Sequence, residues 1–447
     1  MSVTKLLEKE TWKKSTISFK PPTYRNKPLV TNQSWLAGKR EDDGAEGLWR
    51  IYDNLYDFSK FIKLHPGGSF WLEQTKGTDI TEQFETHHIK GVPEAILKKY
   101  FVRKATQPRN YTLTLHENGF YRTLKRRVAA ELDKLDKSPK NRTDVYHLLL
   151  LAGTVGFAIL SALVPNLIFE VATALCMAWL CIAAHNYFHQ RDNWQMYTFN
   201  LTMMNFNEWR ISHALSHHVY TNSLHDLEMS LFEPFLCWVP NKYIASKARR
   251  VVSVIIQPMF YAFVFPVHFT QRVIRSIFSK NELFWHDIIG FSLPLLMLLV
   301  SQASSPLSIF IQWFRIIVLS SFLFGLIGLN TSSHHAPDIS HDGDALRKDT
   351  DWGLYQLDTI IDRGDIKNSQ FLVVTSFGEH TLHHMFPTLD HGILPQLRPI
   401  FYKTLIEFKS EMRESSYLHH IIGQIQQLLR TEPNPIAPDQ RKLKKGN

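Results

Sequence analysis

Residues 167–189 read LIFEVATALCMAWLCIAAHNYFH, an apolar run that contains one acidic residue, Glu170, and ends in two histidines. A run of this length and composition predicts a membrane-spanning helix, which needs about 17–25 apolar residues. Because residues i and i+4 share one face of a helix, His185 and His189 can face one object. The stretch therefore predicts a membrane-spanning helix that ends in two histidines able to bind the same group.

Apolar runs on both sides of this stretch predict the other helices of a membrane unit. Residues 148–164 form one span, and residues 165–166 turn the chain into the span just described. Residues 288–314 carry no charge, Pro306 interrupts this run near a turn at residue 304, and residues 316–329 continue it, which predicts two further spans. Arg315 lies inside the last of them and must reach the membrane surface or face a polar interior. A buried hairpin of a water-soluble protein is the alternative, and the presence of a second hairpin argues against it.

Residues 251–270 are also uncharged and would give a fifth span on hydropathy alone. Pro258 and Pro266 are expected to break this run, and basic residues flank both of its ends. By the positive-inside rule both ends face the cytosol, so the segment is predicted to lie in the membrane interface or to re-enter it. Four spans remain.

Two further segments repeat the pattern of closely spaced histidines: HALSHH at residues 213–218 and HTLHH at residues 380–384. A single histidine at a membrane border is usually an interfacial residue, but eight in three short segments predict metal ligands. With four spans, the first, second and third histidine segments all meet on the cytosolic side. With α-helical spacing, His213 and His217 face the same metal site, whereas His218 can reach a second site. The predicted ligands are His185, His189, His213, His217, His218, His380, His383 and His384.

A separate soluble unit precedes the membrane part and contains another pair of histidines. Aromatic and β-branched residues in LWRIYDNLYD, at residues 48–57, predict short strands, and short helical stretches follow, so the unit is expected to be α+β. His65 begins the turn His-Pro-Gly-Gly, and His88 follows after an apolar stretch. Two neutral imidazoles on opposite walls of an apolar pocket can ligate a haem iron from both faces and pass electrons. An ordinary Pro-Gly turn is the alternative.

This unit resembles the cytochrome b5 domain over residues 34–103, on the stretch FSKFIKLHPGGSFWLEQTKGTDITEQFETHH that runs from Phe58 to His88. In versions of that domain fused to membrane desaturases, the second haem ligand lies four residues after the Phe of the DxTExF pattern. That spacing implies His88 rather than His87. The resemblance thus implies that His65 and His88 hold haem b.

The histidine segments resemble those of the membrane-bound fatty-acid desaturase and hydroxylase superfamily over residues 145–410. Their patterns HxxxH, HxxxHH and HxxHH fit its signature, and HHVYTNSLHDLE, beginning at His217, is close to a run in many acyl-lipid desaturases. The resemblance implies two non-haem irons held by histidines. Some members add a ligand from N-x-x-x-H after the fourth span, which implies His334, with Asn330 as a weak or water-mediated ligand and His335 as a substitute for His334. The whole arrangement is most similar to an insect branch of cytochrome b5-fused proteins.

The composition narrows the class of protein. The chain has 447 residues, of which 44% are hydrophobic and 20% charged, so disordered and fibrous classes are excluded. The net charge of +9 lies beside apolar runs rather than in a binding stripe, so no nucleic-acid partner is expected. Three cysteines, Cys176, Cys181 and Cys237, give no disulfide framework. The 22 histidines are the feature of the composition that indicates catalysis or metal binding.

The predicted fold class is an α+β cytochrome b5-like haem domain followed by an all-α integral-membrane domain with four transmembrane helices and cytosolic histidine segments. Five parts are expected: a polar N-terminal arm (1–33), the haem domain (34–103), a basic linker with a surface helix (104–144), the membrane domain (145–410) and a cytosolic C-terminal tail (411–447).

Targeting patterns predict a multi-pass protein of the endoplasmic reticulum membrane with both termini and both metal sites in the cytosol. The first residues lack the apolar segment and cleavage site of a signal peptide. The chain ends in Lys444-Lys445-Gly446-Asn447, the KKxx pattern that is read as an address for return to the endoplasmic reticulum. A chance match in a basic tail is the alternative.

Together these features predict an O2-dependent lipid or fatty-acyl desaturase that receives electrons through its own haem. The resemblance implies NADH as the electron source, a cytochrome b5 reductase as partner, and a lipid or an acyl-CoA as substrate. A lipid hydroxylase on the same site is one alternative. A membrane-anchored electron carrier with a degenerate di-iron site is the other.

Several other residues are candidates for supporting roles, with a solvated surface charge as the alternative for each carboxylate. Acidic residues near the haem motif could dock a basic partner surface: Asp79, Glu82 and Glu85. Acidic residues near the histidine segments could orient ligand N–H groups: Asp226, Glu228 and Glu379. Histidines that match no motif position are expected to support the ligands or the fold: His225, His341 and His391.

Overall fold

The computed structural model describes residues 14–27, 29–278, 282–301, 305–331 and 334–441. The first 13 residues, on which the expectation about a signal peptide rests, lie outside these ranges. The KKxx pattern at the C-terminal end also lies outside them.

The N-terminal unit has the α+β fold that the sequence predicts. Its antiparallel sheet has the order β1-β2-β3 and consists of β1 Trp49–Ile51, β2 Asn54–Tyr56 and β3 Phe101–Lys104. Its helices are α1 Asn32–Asp42, α2 Ser69–Thr75, α3 Thr81–His87 and α4 Glu94–Tyr100. Gly68 ends the His-Pro-Gly-Gly turn with a φ of 102°, a conformation that side chains disfavour, and α2 begins at the next residue.

The rest of the chain is mostly helical. Its helices are, in chain order, α5 Phe120–Glu131, α6 Ser138–Leu163, α7 Leu167–Phe188, α8 Phe206–Trp209, α9 His218–Tyr220, α10 Leu227–Phe232, α11 Lys247–Phe278, α12 Ser292–Val300, α13 Pro306–Ile327, α14 Trp352–Asp358, α15 Gln370–Thr375, α16 His380–Met385, α17 Arg398–Glu407 and α18 Tyr417–Leu429. A π-helical turn, Arg210–His217, joins α8 to α9. Two short parallel strands, β4 Asp362–Arg363 and β5 Glu414–Ser415, pair outside the N-terminal sheet.

Among the described residues, four helices are long and apolar enough to cross a membrane: α6, α7, α11 and α13. The number agrees with the prediction, but α11 covers the segment expected to lie at the interface, and the predicted third span is the shorter segment Trp285–Val300. Asn166 caps α7, because its side chain accepts a hydrogen bond from the backbone N–H of Ile168. Ser305 caps α13 in the same way, and Pro306 occupies the start of that helix. These two caps lie at the turns expected between the helices of each hairpin.

One of the four helices differs from the prediction. α11 is continuous through Pro258 and Pro266, so the expectation that these prolines interrupt the run is wrong. Each proline removes one backbone hydrogen bond, and the packing of α11 against α13 and α18 offsets that cost. The apolar run after Ile288 instead forms a shorter segment, Trp285–Val300, made of a 3-10 turn followed by α12.

Arg315 has the polar surrounding that its place in a membrane helix requires. Its guanidinium on α13 donates to the two carboxylate oxygens of Glu170 on α7, at 2.9 and 2.6 Å. The side-chain amide of Gln312 also donates to Glu170, at 3.3 Å. Since Glu170 is 2% exposed, its charge is balanced inside the protein.

Replacing Arg315 with methionine should lower the free energy of unfolding by about 2–3 kcal/mol, because Glu170 would stay buried without its partner. Thermal unfolding of detergent-purified protein measures the change. The double variant Arg315→Met, Glu170→Gln should recover most of the loss, since no charge then remains buried. An equal loss in both variants would contradict this account of the pair.

The N-terminal arm and the α+β unit are packed directly on the part of the chain that holds the histidine segments. The hydroxyl of Tyr24 donates to the carbonyl of Leu224 at 2.7 Å, and the indole N–H of Trp35 donates to the carbonyl of His225 at 2.9 Å. The arm, the α+β unit and the second and third histidine segments all contribute to one hydrophobic core. The α+β unit is therefore fixed in place rather than tethered by a linker.

Candidate functional site

The nine predicted histidine ligands lie in two buried groups. Within each group, one ligand nitrogen per residue lies within 4.8 Å of all the others. Cluster one consists of His185, His189, His213, His218 and His383, and cluster two consists of His217, His334, His380 and His384. Residues from three segments and from the N-x-x-x-H pattern thus converge on two points.

In cluster one the Nε2 atoms point at one another. His185 Nε2 lies 2.7 Å from that of His213, 2.9 Å from that of His189 and 3.2 Å from that of His383. His218 Nε2 lies 3.0 Å from His213 Nε2. A neutral imidazole has one donor and one acceptor nitrogen, so five rings cannot satisfy one another at a shared point. A shared cation would satisfy them.

Cluster two also consists of histidine rings in close contact, and it lies next to cluster one. His334 Nε2 lies 2.6 Å from His380 Nε2. The ring centroid of His217 lies 4.3 Å from that of His334 and 5.1 Å from that of His384. The ring of His384 stacks on that of His218 in cluster one, with the centroids 4.0 Å apart.

A π-helical turn divides the second segment between the two clusters. The backbone N–H of His218 donates to the carbonyl of His213, five residues earlier, within the turn Arg210–His217. This spacing places His213 and His218 in cluster one and directs His217 to cluster two. His213 and His217 also lie together in a third group with Glu228, so the expected pairing of these two residues is present. The π-helical turn adds His218 beside His213, where α-helical spacing predicted that His218 would reach a second site.

Two of the three predicted carboxylates orient ligands. His217 Nδ1 donates to Asp226 at 2.8 Å, and His213 Nδ1 donates to Glu228 at 3.0 Å. When Nδ1 donates, the lone pair of Nε2 is free for a metal. Glu379 does not share this role, because its carboxylate pairs with Arg398 instead.

Two supporting residues were not anticipated from the sequence. Asp362 accepts a hydrogen bond from the backbone N–H of His380 at 2.5 Å, and so anchors the start of α16. Gln356 on α14 places its side-chain oxygen 3.0 Å from His384 Nδ1. Both come from parts of the chain without a histidine pattern, so no spacing signal marks them.

The histidine of the N-x-x-x-H pattern lies in a cluster, whereas its asparagine does not. His334 belongs to cluster two, whereas the side-chain oxygen of Asn330 accepts a hydrogen bond from the hydroxyl of Tyr261 at 2.9 Å. His335 stacks on Trp238 with the ring centroids 3.9 Å apart. The stacked ring lies outside both clusters, so His335 does not substitute for His334.

The chemistry of the two clusters fits a metal. Burial, reinforced by the neighbouring imidazoles, lowers the pKa of several ring nitrogens well below the usual value, and leaves them in the neutral form that binds metals. These residues are His189, His218, His334, His380, His383 and His384. Burial also acts on His217, but the carboxylates of Asp226 and Glu228 outweigh it and raise the pKa of that residue. On ligand type alone an all-imidazole set suits iron, zinc or copper.

The α+β unit holds a second candidate site. His65 and His88 face each other across an apolar cavity of about 470 Å³, with their ring centroids 6.1 Å apart. Their Nδ1 atoms lie 2.9 Å from the carbonyl oxygens of Gly68 and Phe84 respectively, which directs both Nε2 atoms into the cavity. A separation of this size accommodates one metal at about 2.0 Å from each nitrogen. The residues present therefore fit a haem between His65 and His88.

The acidic residues near this cavity have an internal role. Arg109 pairs with Asp79 at 2.6 Å and with Glu82 at 2.7 Å, and Lys125 pairs with Glu85 at 2.6 Å. All three carboxylates are buried. Both sequence interpretations, a docking surface and a solvated face, are wrong here, because basic residues of the following linker neutralise them.

The three histidines that match no motif position lie around the clusters and support the fold there. His225 Nε2 lies 2.8 Å from the hydroxyl of Ser18 in the N-terminal arm. The ring centroid of His341 lies 5.7 Å from that of His335. His391 packs against cluster one, with its ring centroid 4.2 Å from that of His383.

Two family models match separate parts of the chain. The model described as fatty acid desaturase matches residues 160–416, and the model described as cytochrome b5-like heme/steroid binding domain matches residues 34–106. These ranges contain the two clusters and the cavity between His65 and His88, respectively.

Known proteins resemble the chain over most of its length. A cytochrome b5-related protein of Drosophila melanogaster is 55% identical over 96% of this chain and 98% of its own length. A probable Delta(5) fatty acid desaturase C of Dictyostelium discoideum is 25% identical over 84% of this chain and 89% of its own length. An acyl-lipid (8-3)-desaturase of Mortierella alpina is 24% identical over 80% of this chain and 87% of its own length. No solved structure matches.

Proposed function

We propose, because this chain belongs to the fatty acid desaturase family and carries a cytochrome b5-like domain, that it is a membrane desaturase acting on a fatty acyl chain. The substrate would be a lipid or an acyl-CoA, and the oxidant O2. The observation that carries the proposal is the convergence of nine histidines in two adjacent buried clusters beside a bis-histidine cavity. A site with this many intact ligands argues against a degenerate one.

The proposed cofactors are haem b, held by His65 and His88, and two non-haem irons, one in each cluster. When bound, the haem passes single electrons and the paired irons activate O2 for removal of hydrogen from an unactivated C–H bond. Asp226, Glu228 and Gln356 hold ligand rings in the tautomer that such metals require. Asn330 remains a proposed water-mediated ligand.

Side chains of this chain also shape the space that a substrate would enter. A small cavity of about 40 Å³ adjoins cluster two and is bounded by Trp209, Glu228, Trp238 and Phe377. Its aromatic side chains suit contact with an alkyl chain next to the histidines of cluster two. The two electrons needed per turnover would come from NADH through a cytochrome b5 reductase, which delivers them to the haem.

We propose that α6, α7, the segment Trp285–Val300 and α13 cross the endoplasmic reticulum membrane, with both termini and both metal sites in the cytosol. The segment Trp285–Val300 is about 28 Å long, because its first part has the greater rise of a 3-10 helix, and the hydrocarbon core is about 30 Å thick. Its length is therefore close to the thickness of the core despite its few residues.

The contacts of α11 support a position along the cytosolic membrane surface. Near one end, Arg250 donates to the carbonyls of Cys237 and Leu428. At its middle, the hydroxyl of Tyr261 donates to Asn330, beside cluster two. Near the other end, Arg272 pairs with Asp287. Both ends and the middle thus contact the side that bears the clusters, while apolar side chains cover the exposed face.

A glycosylation acceptor inserted in a long hydrophilic loop between residues 163 and 168 should be modified in microsomes, because this turn would face the lumen. Glycan addition is read as a mass shift that a glycosidase reverses. The same loop inserted at the exposed residue Asn118 is the control and should stay unmodified. Modification at Asn118 but not at the turn would contradict the arrangement.

Product analysis tests the proposed reaction. Cells expressing the chain should accumulate acyl chains lighter by two hydrogens, measured by mass spectrometry of total lipids and acyl-CoA against cells that express the His383→Ala variant. A gain of one oxygen would instead identify a hydroxylase on the same site. Identical lipids in both cultures would contradict the proposal and favour an electron carrier.

A further inference from the structure

The cavity between His65 and His88 is closed partly by the membrane domain. Besides residues of the α+β unit, its wall includes His189, Gln190 and Leu215. His189 is a member of cluster one, and Leu215 lies between His213 and His217 in the second histidine segment. The haem-type cavity and the metal clusters therefore share a wall, which a flexible tether between two independent units would not produce.

A hydrogen bond crosses this shared wall, and a second one joins it to the neighbour of His88. The side-chain amide of Gln83 donates to the carbonyl of Leu215 at 3.1 Å, and both groups are buried. The carbonyl of Gln83 lies 2.9 Å from Nδ1 of His87, which donates to it. His87 is the covalent neighbour of His88. A chain of contacts therefore starts at His88, passes through His87 and Gln83, and ends at Leu215 in the second histidine segment.

An aromatic and cationic contact fixes the same interface. The ring of His87 packs against Trp71, with the centroids 5.5 Å apart. The guanidinium of Arg210 lies 4.8 Å from the Trp71 ring and donates to the carbonyl of Phe188 at 2.8 Å. Arg210 is 1% exposed, so this contact is an internal part of the fold.

His87 also lines the haem-type cavity, but it is not one of the two residues proposed to hold the haem. His88, and not His87, faces His65. The Nε2 atom of His87 is buried and has no hydrogen-bond partner among the residues that the structure describes. A buried polar side chain beside two redox sites, without a ligand role at either, calls for an explanation.

We propose that His87 and Gln83 form a fixed bridge through which electrons pass from the haem to the metal clusters; this rests on the proposed function. In each transfer one electron leaves the ferrous haem, which becomes ferric, and reduces one Fe(III) of the paired site to Fe(II). Two transfers, together with two electrons and two protons from the substrate C–H bonds and two protons from solvent, reduce one O2 to two waters. The proposed reductant of the haem is NADH, which acts through a cytochrome b5 reductase.

Space-filling variants test the bridge without opening a cavity. His87→Phe removes the bond to the Gln83 carbonyl, and Gln83→Met removes the bond to Leu215. The full-length proteins are reduced anaerobically with NADH and cytochrome b5 reductase, then mixed with oxygenated buffer that contains oleoyl-phosphatidylcholine vesicles. The absorbance of the haem reports its reoxidation in a stopped-flow experiment.

Both variants should keep the bis-histidine haem spectrum, the haem reduction potential, the non-haem iron content and the rate of haem reduction. The rate of haem reoxidation should fall below that of the unaltered chain, because each variant removes one hydrogen bond of the path from the haem-ligand helix to the peptide of the second histidine segment. His116→Ala, which alters an exposed histidine of the linker, is the control and should reoxidise at the unaltered rate.

Reoxidation at the unaltered rate in both bridge variants would overturn the bridge. Loss of the bis-histidine spectrum in His87→Phe, with that spectrum kept in His88→Ala, would also overturn it, because His87 would then be a haem ligand. The His383→Ala variant distinguishes failure of the bridge from failure of the proposed function. If the unaltered chain reoxidises no faster than His383→Ala, the clusters accept no electrons and the proposed function itself fails.

Discussion

Replacing His383 with alanine should reduce O2-dependent oxidation of lipid more than about a hundredfold, because even the loss of a group that only supports a metal ligand costs about 10- to 100-fold. His383 Nε2 lies 3.2 Å from His185 Nε2, and the His383 ring lies against those of His189 and His218. Its removal leaves cluster one with a gap among its ligands. We therefore expect the non-haem iron content to fall together with the product.

The haem provides the internal control for this variant. His65 and His88 lie outside both clusters, so the reduced haem spectrum should be unchanged. His116→Ala should retain both iron and activity, since His116 is exposed. Unchanged product formation by purified His383→Ala would remove the clusters from the reaction and contradict the di-iron account.

Replacing His88 with alanine should abolish the bis-histidine haem spectrum and halt electron delivery from NADH. The reason is that the imidazole that faces His65 would be lost, although His87 and His189 would stay in the cavity wall. His65→Ala should have the same effect. Absorption spectra of the reduced protein, together with haem content, measure the result.

The second metal site is the control for the haem variants. Non-haem iron should persist in His88→Ala, because all nine cluster histidines remain. The comparison with His87→Phe is the sharpest, since the two residues are adjacent and only one faces His65. Loss of haem and non-haem iron together in His88→Ala would argue against two independent sites.

The set of histidines that come together could be predicted from the sequence, but their division between the clusters could not. The i, i+4 pair His185 and His189 lies in one cluster as helical spacing requires. For the second segment the same rule holds only in part: His213 and His217 share a group with Glu228, but a π-helical turn also brings His218 beside His213 in cluster one. A local change of this kind arises from packing and leaves no pattern in the sequence.

Features that depend on distant contacts were also beyond the sequence. The acidic residues near the haem motif look like an exposed face until Arg109 and Lys125 of the linker pack on them. The ion pair of Arg315 with Glu170 joins two helices that lie far apart in the chain. The wall shared by the haem-type cavity and cluster one likewise arises only when the two domains pack together.

The ratio of non-haem iron to haem in detergent-purified protein tests the central claim most directly. Our account predicts about two non-haem irons per haem, one for each histidine cluster and one haem between His65 and His88. Haem with no other metal, even after growth with added iron, would contradict it. The chain would then be an electron carrier in which the histidine clusters bind nothing.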